Sequence, residues 1–169
     1  GETTGEVVAR APWLTQGYLD NPQASNDLWD GGYLHTGDVG YIRENGSLQI
    51  TDRLKDVIKT GGEWISSLIL ENIASSCYGV EEVAAIGCPN AKWGERPVLA
   101  VQIKNNTDRD LVRLNIVEEI QMRVDVGEIS KWAIPDEIIF VDHLPKTSVG
   151  KLDKKLVRQD VLTRLDLKS

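Results

Sequence analysis

One acidic residue, Asp38, follows a glycine in the segment YLHTGD, residues 33–38, just before a predicted strand. A carboxylate only accepts hydrogen bonds, so it can take both hydroxyl protons of a vicinal diol such as that of a ribose. An aspartate in a turn more often caps the backbone. Asp38 is therefore a candidate for holding a sugar, and backbone capping is the alternative.

A second candidate segment, residues 52–65, combines basic side chains with paired glycines. Arg53, Lys55 and Lys59 occupy alternating positions, and in an extended chain they would project from one side. Gly61 and Gly62 would let the backbone approach a ligand more closely than residues with side chains could. The alternative is a solvated, charged linker that enters a hairpin.

A third candidate, Lys151, follows Gly150 in the polar loop of residues 144–152. A glycine and lysine pair in such a loop suggests a mobile ammonium group that is brought to a phosphate. The loop is not a Walker phosphate loop, because Pro145 replaces the upstream glycine and Leu152 replaces the hydroxyl residue that binds magnesium. An exposed loop lysine that only adds solubility is the alternative.

Charge narrows the range of ligands. The net charge of −7 argues against non-specific nucleic-acid binding. Residues 145–169, including Lys168, nevertheless hold seven basic against three acidic side chains, which favours a small phosphorylated ligand near the C-terminus.

Other functional classes leave no signature. The chain has no apolar run of the ~18 residues that a membrane span needs and no signal-peptide pattern, so we expect a cytoplasmic protein. Cys77 and Cys88 lie in apolar surroundings without metal-ligand spacing, so we expect reduced, buried thiols. His35 and His143 are isolated from other ligands, and no metal site is predicted.

The elements that must position these candidates fall into two groups. Residues 5–12 read as a short strand, and residues 38–51 as two strands around Asn45 and Gly46, a dipeptide suited to a tight hairpin in which both central residues have positive φ. The charged residues 52–56 read as a linker between two modules. We therefore expect a β subdomain at 1–51, a hinge at 52–56 and a second domain at 57–169.

Helices and strands alternate in the second domain. Buried strands are expected at 83–88, 98–103 and 138–141, and helices after a Ser67 cap, after a capping box of Thr107 with Asp110, and over 153–165. The expected inward-facing residues are Leu114, Val117, Ile120 and Val124 on the second helix and Leu156, Val157, Val161 and Leu165 on the last. The fold class is α+β, a small β subdomain followed by a compact α+β lid whose sheet is covered by helices.

Together, in this order and spacing, the three candidate segments resemble the later motifs of the adenylate-forming family, which includes acyl-CoA synthetases, luciferases and peptide-synthetase adenylation domains. An earlier match is Gly5-Glu6-Val7 with Gly17-Tyr18 and Pro22. Within the family, the runs GGEWISS at 61–67 and WGERP at 93–97 look most like medium-chain fatty-acyl-CoA ligases. The resemblance implies a ligase that uses ATP and CoA with a fatty acid.

The resemblance also implies roles for the candidates. Asp38 would hold the ribose hydroxyls of the adenylate with help from Arg53, and Lys55 would be the hinge. Lys151 would stabilise the transition state in which a carboxylate attacks the α-phosphorus of ATP. The domain would then rotate and present the hairpin around Lys59, the second catalytic candidate beside Lys151, and Gly62, which would line the passage for the CoA thiol.

Two positions depart from the family pattern. Ile69 stands where an acidic residue is common, which weakens any inherited account of how that helix is anchored. Lys154 stands where arginine is usual, which keeps the charge and loses the bidentate fork.

In the family, the phosphate loop, the magnesium-binding glutamate and the acyl pocket precede the segment that corresponds to Gly1. We therefore expect Mg²⁺ to be bound outside this chain, and the chain alone to be inactive. Two alternatives remain, an enzyme that loads a carrier-protein thiol, and a non-catalytic interaction domain left by truncation.

Overall fold

The computed structural model of the chain describes residues 4–166, and the chain divides into two compact units between Lys55 and Asp56. Lys168 and the outer ends of the predicted segments 1–51 and 57–169 lie outside the described residues.

The first unit is a three-stranded antiparallel sheet with one short helix. Its elements are β1 Gly5–Ala9, α1 Pro22–Leu28, β2 Leu34–Ile42 and β3 Leu48–Arg53, with β2 in the middle. The Asn21 side chain caps α1 by accepting the Ala24 N–H at 3.1 Å. The strand predicted at 5–12 is confirmed over its first half.

The turn between β2 and β3 differs from the prediction. The Arg43 N–H donates to the Ser47 carbonyl at 2.9 Å, and the Gly46 N–H donates to the Arg43 carbonyl at 2.8 Å. Gly46 has a φ of 82°, whereas Asn45 keeps a negative φ. The prediction of two positive φ values was wrong, because the loop is one residue longer and needs a left-handed backbone only at its last position.

The predicted linker at 52–56 is only in part irregular. Strand β3 continues through Asp52 and Arg53, which pair with β2, and a turn follows at 54–56. This turn interrupts the extended chain that was predicted between Arg53 and Lys59, so the prediction of a continuous extended segment was wrong.

The second unit is a five-stranded mixed sheet with three helices. Its elements are β4 Ile58–Thr60, β5 Glu63–Ile65, α2 Ser67–Ser75, β6 Val80–Asn90, β7 Gly94–Ile103, α3 Arg109–Asp125, β8 Glu137–Val141 and α4 Lys154–Asp166. The hairpin of β6 and β7 is its centre, with β4 and β8 both paired to β7 and β5 paired to β4. Only the β7 and β8 pair is parallel.

Both faces of this sheet are covered, because side chains alternate along each strand. On one face, Ala85, Leu99 and Val101 pack with the buried residues of α2 and α3. On the other face, Ala84, Ile86 and Val98 pack with Val157 and Val161 of α4. The fold class predicted from the sequence is confirmed, including a sheet covered by helices.

Several local predictions placed a helix cap one residue away from its true position or chose the wrong buried face of a helix. Ser66, not Ser67, caps α2 by accepting the Ile69 N–H, and Asp108, not Thr107, caps α3. Ser67 is fully buried instead.

The buried face of α3 consists of Val112, Ile116 and Ile120, of which only Ile120 was predicted. Leu114 and Val117, predicted inward, are 52% and 41% exposed, and Leu156 of α4 is 46% exposed. Both helices carry apolar residues on more than one side, so spacing alone does not select the face that meets the sheet.

Within residues 4–166, none of the helices is long and apolar enough to cross a membrane. Cys88 is buried and Cys77 partly buried, and both are free thiols.

Candidate active-site elements

Asp38 and Arg53 face each other across the first sheet. They are paired residues of β2 and β3, and Arg53 Nε lies 3.7 Å from Asp38 Oδ1. The two side chains are 39% and 63% exposed, so this ion pair contributes little to stability. Both groups remain open to a ligand.

These two residues line an open cleft of about 520 Å³ with Thr36, Gly37, Leu54 and Lys55. A carboxylate beside a guanidinium offers acceptors for a diol and donors for an anion. The geometry suits the sugar of a nucleotide.

The backbone around Asp38 is fixed by hydrogen bonds from β1. The Thr36 hydroxyl donates to the Val7 carbonyl at 2.6 Å and accepts the Asp38 N–H at 3.1 Å. The Glu6 carboxylate accepts the N–H of Gly37, whose φ is +71°, at 3.2 Å. The carboxylate of Asp38 is thus presented by a tied backbone and not by a loose loop.

His35 completes this support. Its Nδ1 lies 2.8 Å from Glu6 Oε2, and its Nε2 lies 3.1 Å from the Asp30 carbonyl. The hydrogen bond with Glu6 raises the pKa of His35 above its ordinary value, and desolvation opposes the rise in pKa only in part. The sequence gave no metal-binding role to His35, and in the structure this side chain links the start of β2 to Glu6 and Asp30.

Lys59 and Gly62 lie on the hairpin of β4 and β5 in the second unit. Gly61 and Gly62 form its turn with φ values of 58° and 85°, as a two-residue type I′ turn requires. Lys59 pairs with Trp64 across the hairpin, and its ammonium lies 5.3 Å from the centre of the indole ring.

The two glycines have different surroundings. A Cβ on Gly61 would lie 3.2 Å from the ring of Trp132, whereas a Cβ on Gly62 would have no described atom within 4 Å. Gly61 is therefore needed for packing within the unit. Gly62 leaves an open backbone surface at the tip.

Lys151 lies in a loop that is closed at both ends. Lys146 and Leu152 form an antiparallel bridge, the Thr147 N–H donates to the Lys151 carbonyl at 2.7 Å, and the Gly150 N–H donates to the Thr147 carbonyl at 2.9 Å. The Lys151 side chain is exposed, and it has no ion-pair partner within residues 4–166. Its ammonium is free to meet an anion.

The helix that follows this loop is anchored by an ion pair. Lys154 Nζ lies 2.8 Å from Glu71 Oε1 and donates to the Ser67 hydroxyl at 2.6 Å. Glu71 also accepts the Ala85 N–H at 2.8 Å. Lys154 thereby links α4 to α2 and β6. Ile69, the position at which an acidic residue is common in the family, is 39% exposed and takes no part in this contact.

The structure thus brings Asp38, Arg53 and Lys55 together in one cleft of the first unit. Lys59 and Gly62 share a hairpin, and Lys151 lies on a separate loop of the second unit. Their roles in a reaction stay predictions.

The sequence assigned no role to the residues that hold these elements. Glu95 and Arg96 lie in the run WGERP noted above, but Glu71, Glu95 and Arg96 make contacts with residues at least 14 positions away, so no local pattern predicts what they hold. A charged residue inside an apolar strand or helix was the one available signal.

A small antiparallel sheet, followed by a helix-covered mixed sheet with a glycine hairpin and an exposed loop lysine, is the architecture of the C-terminal domains of adenylate-forming enzymes. Residues 70–151 match the family model of the AMP-binding enzyme C-terminal domain. This part of the chain therefore belongs to that family, and the resemblance seen in the sequence is confirmed.

Relatives and solved structures agree with this assignment. The chain is 38% identical over 160 residues to a long-chain-fatty-acid–CoA ligase of Thermus thermophilus, covering 94% of the chain and 28% of the relative. It is 39% identical over 170 residues to a 3-methylmercaptopropionyl-CoA ligase of Ruegeria pomeroyi, covering 96% of the chain and 29% of the relative. The ATP-bound MatB of Rhodopseudomonas palustris superposes with a TM-score of 0.75 at 30% identity, covering 94% of this chain and 30% of that one.

The chain thus spans less than a third of the length of these relatives. Family membership is shown for residues 70–151.

Proposed function

We propose that this chain forms part of an ATP-dependent acyl-CoA synthetase, which converts a carboxylic acid to an acyl-adenylate and then to a CoA thioester. Both relatives named above are CoA ligases, and the solved structure was determined with ATP. The residues of the chain support a division of this work between its two units.

In the first half-reaction, a carboxylate oxygen forms a bond to the α-phosphorus of ATP, and pyrophosphate leaves with the electrons of the broken bond. Asp38 accepts hydrogen bonds from the ribose hydroxyls, with Arg53 beside it. The Lys151 ammonium lies between the attacking carboxylate and the phosphate, where negative charge accumulates. A donor in such a position typically stabilises the transition state by ~3 kcal/mol.

In the second half-reaction, the CoA sulfur forms a bond to the acyl carbon, its proton leaves to solvent, and AMP leaves with the carboxyl oxygen that it gained. The hairpin that carries Lys59 and Gly62 faces the thiol in this step, since the open backbone at Gly62 leaves room for a narrow passage. Lys55, exposed in the turn after β3, is the hinge between the two arrangements.

The observation that carries the proposal is the state of Lys151. Its side chain is exposed on a loop that hydrogen bonds close at both ends, and the helix after that loop is tied to the sheet through Lys154. A solubilising lysine needs no such support. A lysine that must reach one phosphate repeatedly does.

The substrate is proposed as a fatty acid, by the sequence resemblance to medium-chain ligases. By their names, the two relatives act on a long-chain fatty acid and on a methylmercapto acid. Related ligases therefore differ in the length of the acid that they accept. Within residues 4–166 no group of three His, Cys, Asp or Glu side chains is placed to hold a metal. From the family resemblance, Mg²⁺ is proposed to be held by residues outside this chain, and a cytoplasmic location is also part of the proposal.

Two alternatives keep their place. A carrier-protein thiol could replace CoA as the acceptor, and a non-catalytic interaction domain could result from truncation. The tied backbone at Asp38 and the free ammonium of Lys151 both favour a working enzyme over the second alternative.

The test is Lys151→Ala in the enzyme that contains this chain, with both half-reactions measured separately. Pyrophosphate exchange should fall by a factor of about 100 or more, whereas thioester formation from supplied acyl-adenylate should stay near the unmodified rate. Lys155→Ala is the matched control, because Lys155 is also exposed and lies four positions further on. Equal loss of both half-reactions in Lys151→Ala would contradict the division of work.

The chain by itself is expected to be inactive, since the family's phosphate loop and acyl pocket lie outside it. Pyrophosphate exchange by the isolated chain, offered a series of fatty acids, measures this directly, and clear turnover would show the expectation to be wrong.

A further inference from the structure

We propose that Glu95 and Arg96 are positioning residues that hold the glycine hairpin of β4 and β5 in the orientation needed for the thioester step. The role of the hairpin in the thioester step rests on the proposed function. That Glu95 and Arg96 fix the hairpin follows from contacts within the second unit.

The backbone alone holds the hairpin weakly. Strand β4 pairs with β7 through a single residue pair, Thr60 with Gly94, and Gly61 adds one hydrogen bond from its N–H to the Trp93 carbonyl at 3.0 Å. A two-stranded ribbon with so short a ladder is marginally stable without other support.

Glu95 replaces the next bond of the ladder with a side chain. Its Oε2 accepts the Lys59 N–H at 3.0 Å, so the carboxylate fixes the backbone of the residue that is proposed to act in the second step. The carboxylate fits against Gly87 of β6, where a Cβ would lie 2.5 Å from Oε2. A side chain at position 87 would push the carboxylate out of this place.

Arg96 fixes the other side of the hairpin. Its Nη1 donates to the Thr60 hydroxyl at 3.3 Å and to the Trp132 carbonyl at 3.0 Å, while Nη2 donates to the Ile134 carbonyl at 2.9 Å and Nε to Asp136 at 2.7 Å. The side chain is only 13% exposed. One guanidinium therefore binds β4 to the segment before β8, which also places the Trp132 ring against Gly61.

These contacts make the tip a fixed element instead of a loose turn. Lys59 is held through its N–H, Thr60 through its hydroxyl and Gly61 through its N–H and the indole face. Gly62, one residue further on, remains open. A passage for a thiol needs such a combination, because its wall has to be both narrow and reproducible.

The hold is tested first in the full 169-residue chain by NMR hydrogen exchange. Glu95→Ala should lower the protection of the Lys59 amide by about 10-fold or more, because its acceptor is gone. Glu95→Gln retains an oxygen at the same reach and should restore protection. Glu81→Ala is the control, since Glu81 is exposed on β6 and its side chain makes no hydrogen bond or ion pair within the described residues. Unchanged Lys59 protection in Glu95→Ala would overturn the inference and leave the proposed function intact.

The consequence for the reaction is tested in the enzyme that contains the chain. Glu95→Ala should lower kcat/KM for CoA in the thioester step about 10-fold while adenylate formation is unchanged, and Glu95→Gln should recover the rate. If Glu95→Ala does not fold, Glu95→Asp serves instead, because its shorter side chain keeps the charge and cannot reach the Lys59 N–H.

A direct perturbation of the tip, Gly62→Ala, separates the possible failures. Loss of the thioester step in Gly62→Ala but not in Glu95→Ala overturns the positioning role alone. If Glu95→Ala lowers the rates of both half-reactions equally, Glu95 contributes only to general stability, and the positioning role is overturned as well. No effect of Gly62→Ala shows that the proposed role of the hairpin is wrong, and the inference falls with it.

Discussion

Replacing Lys154 by methionine should destabilise the second unit strongly, even though the change keeps the side-chain length. The ammonium lies 2.8 Å from the Glu71 carboxylate, and the two side chains are 15% and 12% exposed. At an effective dielectric constant of about 20, an attraction at this distance amounts to roughly 6 kcal/mol before desolvation is counted. Desolvation of two nearly buried ions offsets a large part of it.

The cost of removing only the lysine is larger than the net value of the pair. Glu71 would keep its hydrogen bond from the Ala85 N–H, but its nearly buried carboxylate would lose the ammonium that lies 2.8 Å away. Breaking such a pair on one side typically costs 3–5 kcal/mol, and the residual exposure here places the expected loss at about 3 kcal/mol.

The assay is urea unfolding of the chain followed by far-UV circular dichroism, which mainly reports α2, α3 and α4. Lys154→Met, Glu71→Gln and the double variant form a mutant cycle, with a coupling free energy of at least about 1.5 kcal/mol expected. Lys155→Met, on the same helix but exposed, should change stability by less than about 0.5 kcal/mol. A coupling free energy below about 0.5 kcal/mol would refute the reasoning, because the two charges would then act independently.

Three further predictions concern other parts of the chain. Because the pKa of His35 is raised, its pair with Glu6 stabilises the fold fully below pH ~6.5 and loses that effect as pH rises through the folded-state pKa of His35. Glu6→Gln should therefore lower the pKa of His35 measured by NMR titration. Burial raises the pKa of Cys88 to about 11, so this thiol should resist alkylation near neutral pH until urea unfolds the chain, and rapid labelling of the native state would contradict its burial. Ile116→Ala should lower the free energy of unfolding in urea by about 2–5 kcal/mol and Leu114→Ala by less than about 0.5 kcal/mol, since the side chains are 0% and 52% exposed. The reverse order of the two losses would mean that the other face of α3 meets the sheet.

The strands were more readable from the sequence than the helices. The apolar runs at 83–88 and 98–103 correspond to β6 and β7, because strands buried on both faces need apolar residues at every position. Helix α3 offers apolar residues all around, and the choice of Val112 and Ile116 over Leu114 and Val117 was made by the shape of the sheet. That information lies in other parts of the chain.

Helix starts were found to within one residue. Ser66 and Ser67 are both able to cap, and Asp108 competes with Thr107. In each case, the cap is the residue whose side chain accepts hydrogen bonds from the free N–H groups of the first turn. Ser67 is instead buried, and its hydroxyl accepts a hydrogen bond from the Lys154 ammonium. Tertiary contacts decided between locally equivalent choices.

For the candidate site, the sequence was informative about segments and uninformative about their supports. Asp38, Gly62 and Lys151 were identified because they lie in motifs that recur together. Glu6 and Arg96 were not assigned roles, because their partners lie about 30 positions or more away in the chain and the pairing exists only after folding.

The separation of the two packed layers of the second unit has a consequence for timing. The hairpin contributes Ile58 and Ile65 to the layer beneath α2 and α3, whereas Leu152, next to Lys151, packs into the layer beneath α4. Both elements are thus packed into one compact unit, so neither can move towards a reacting group without carrying the other. In the proposed enzyme, a single movement of the whole unit would therefore exchange the lysine of the first step for the hairpin of the second.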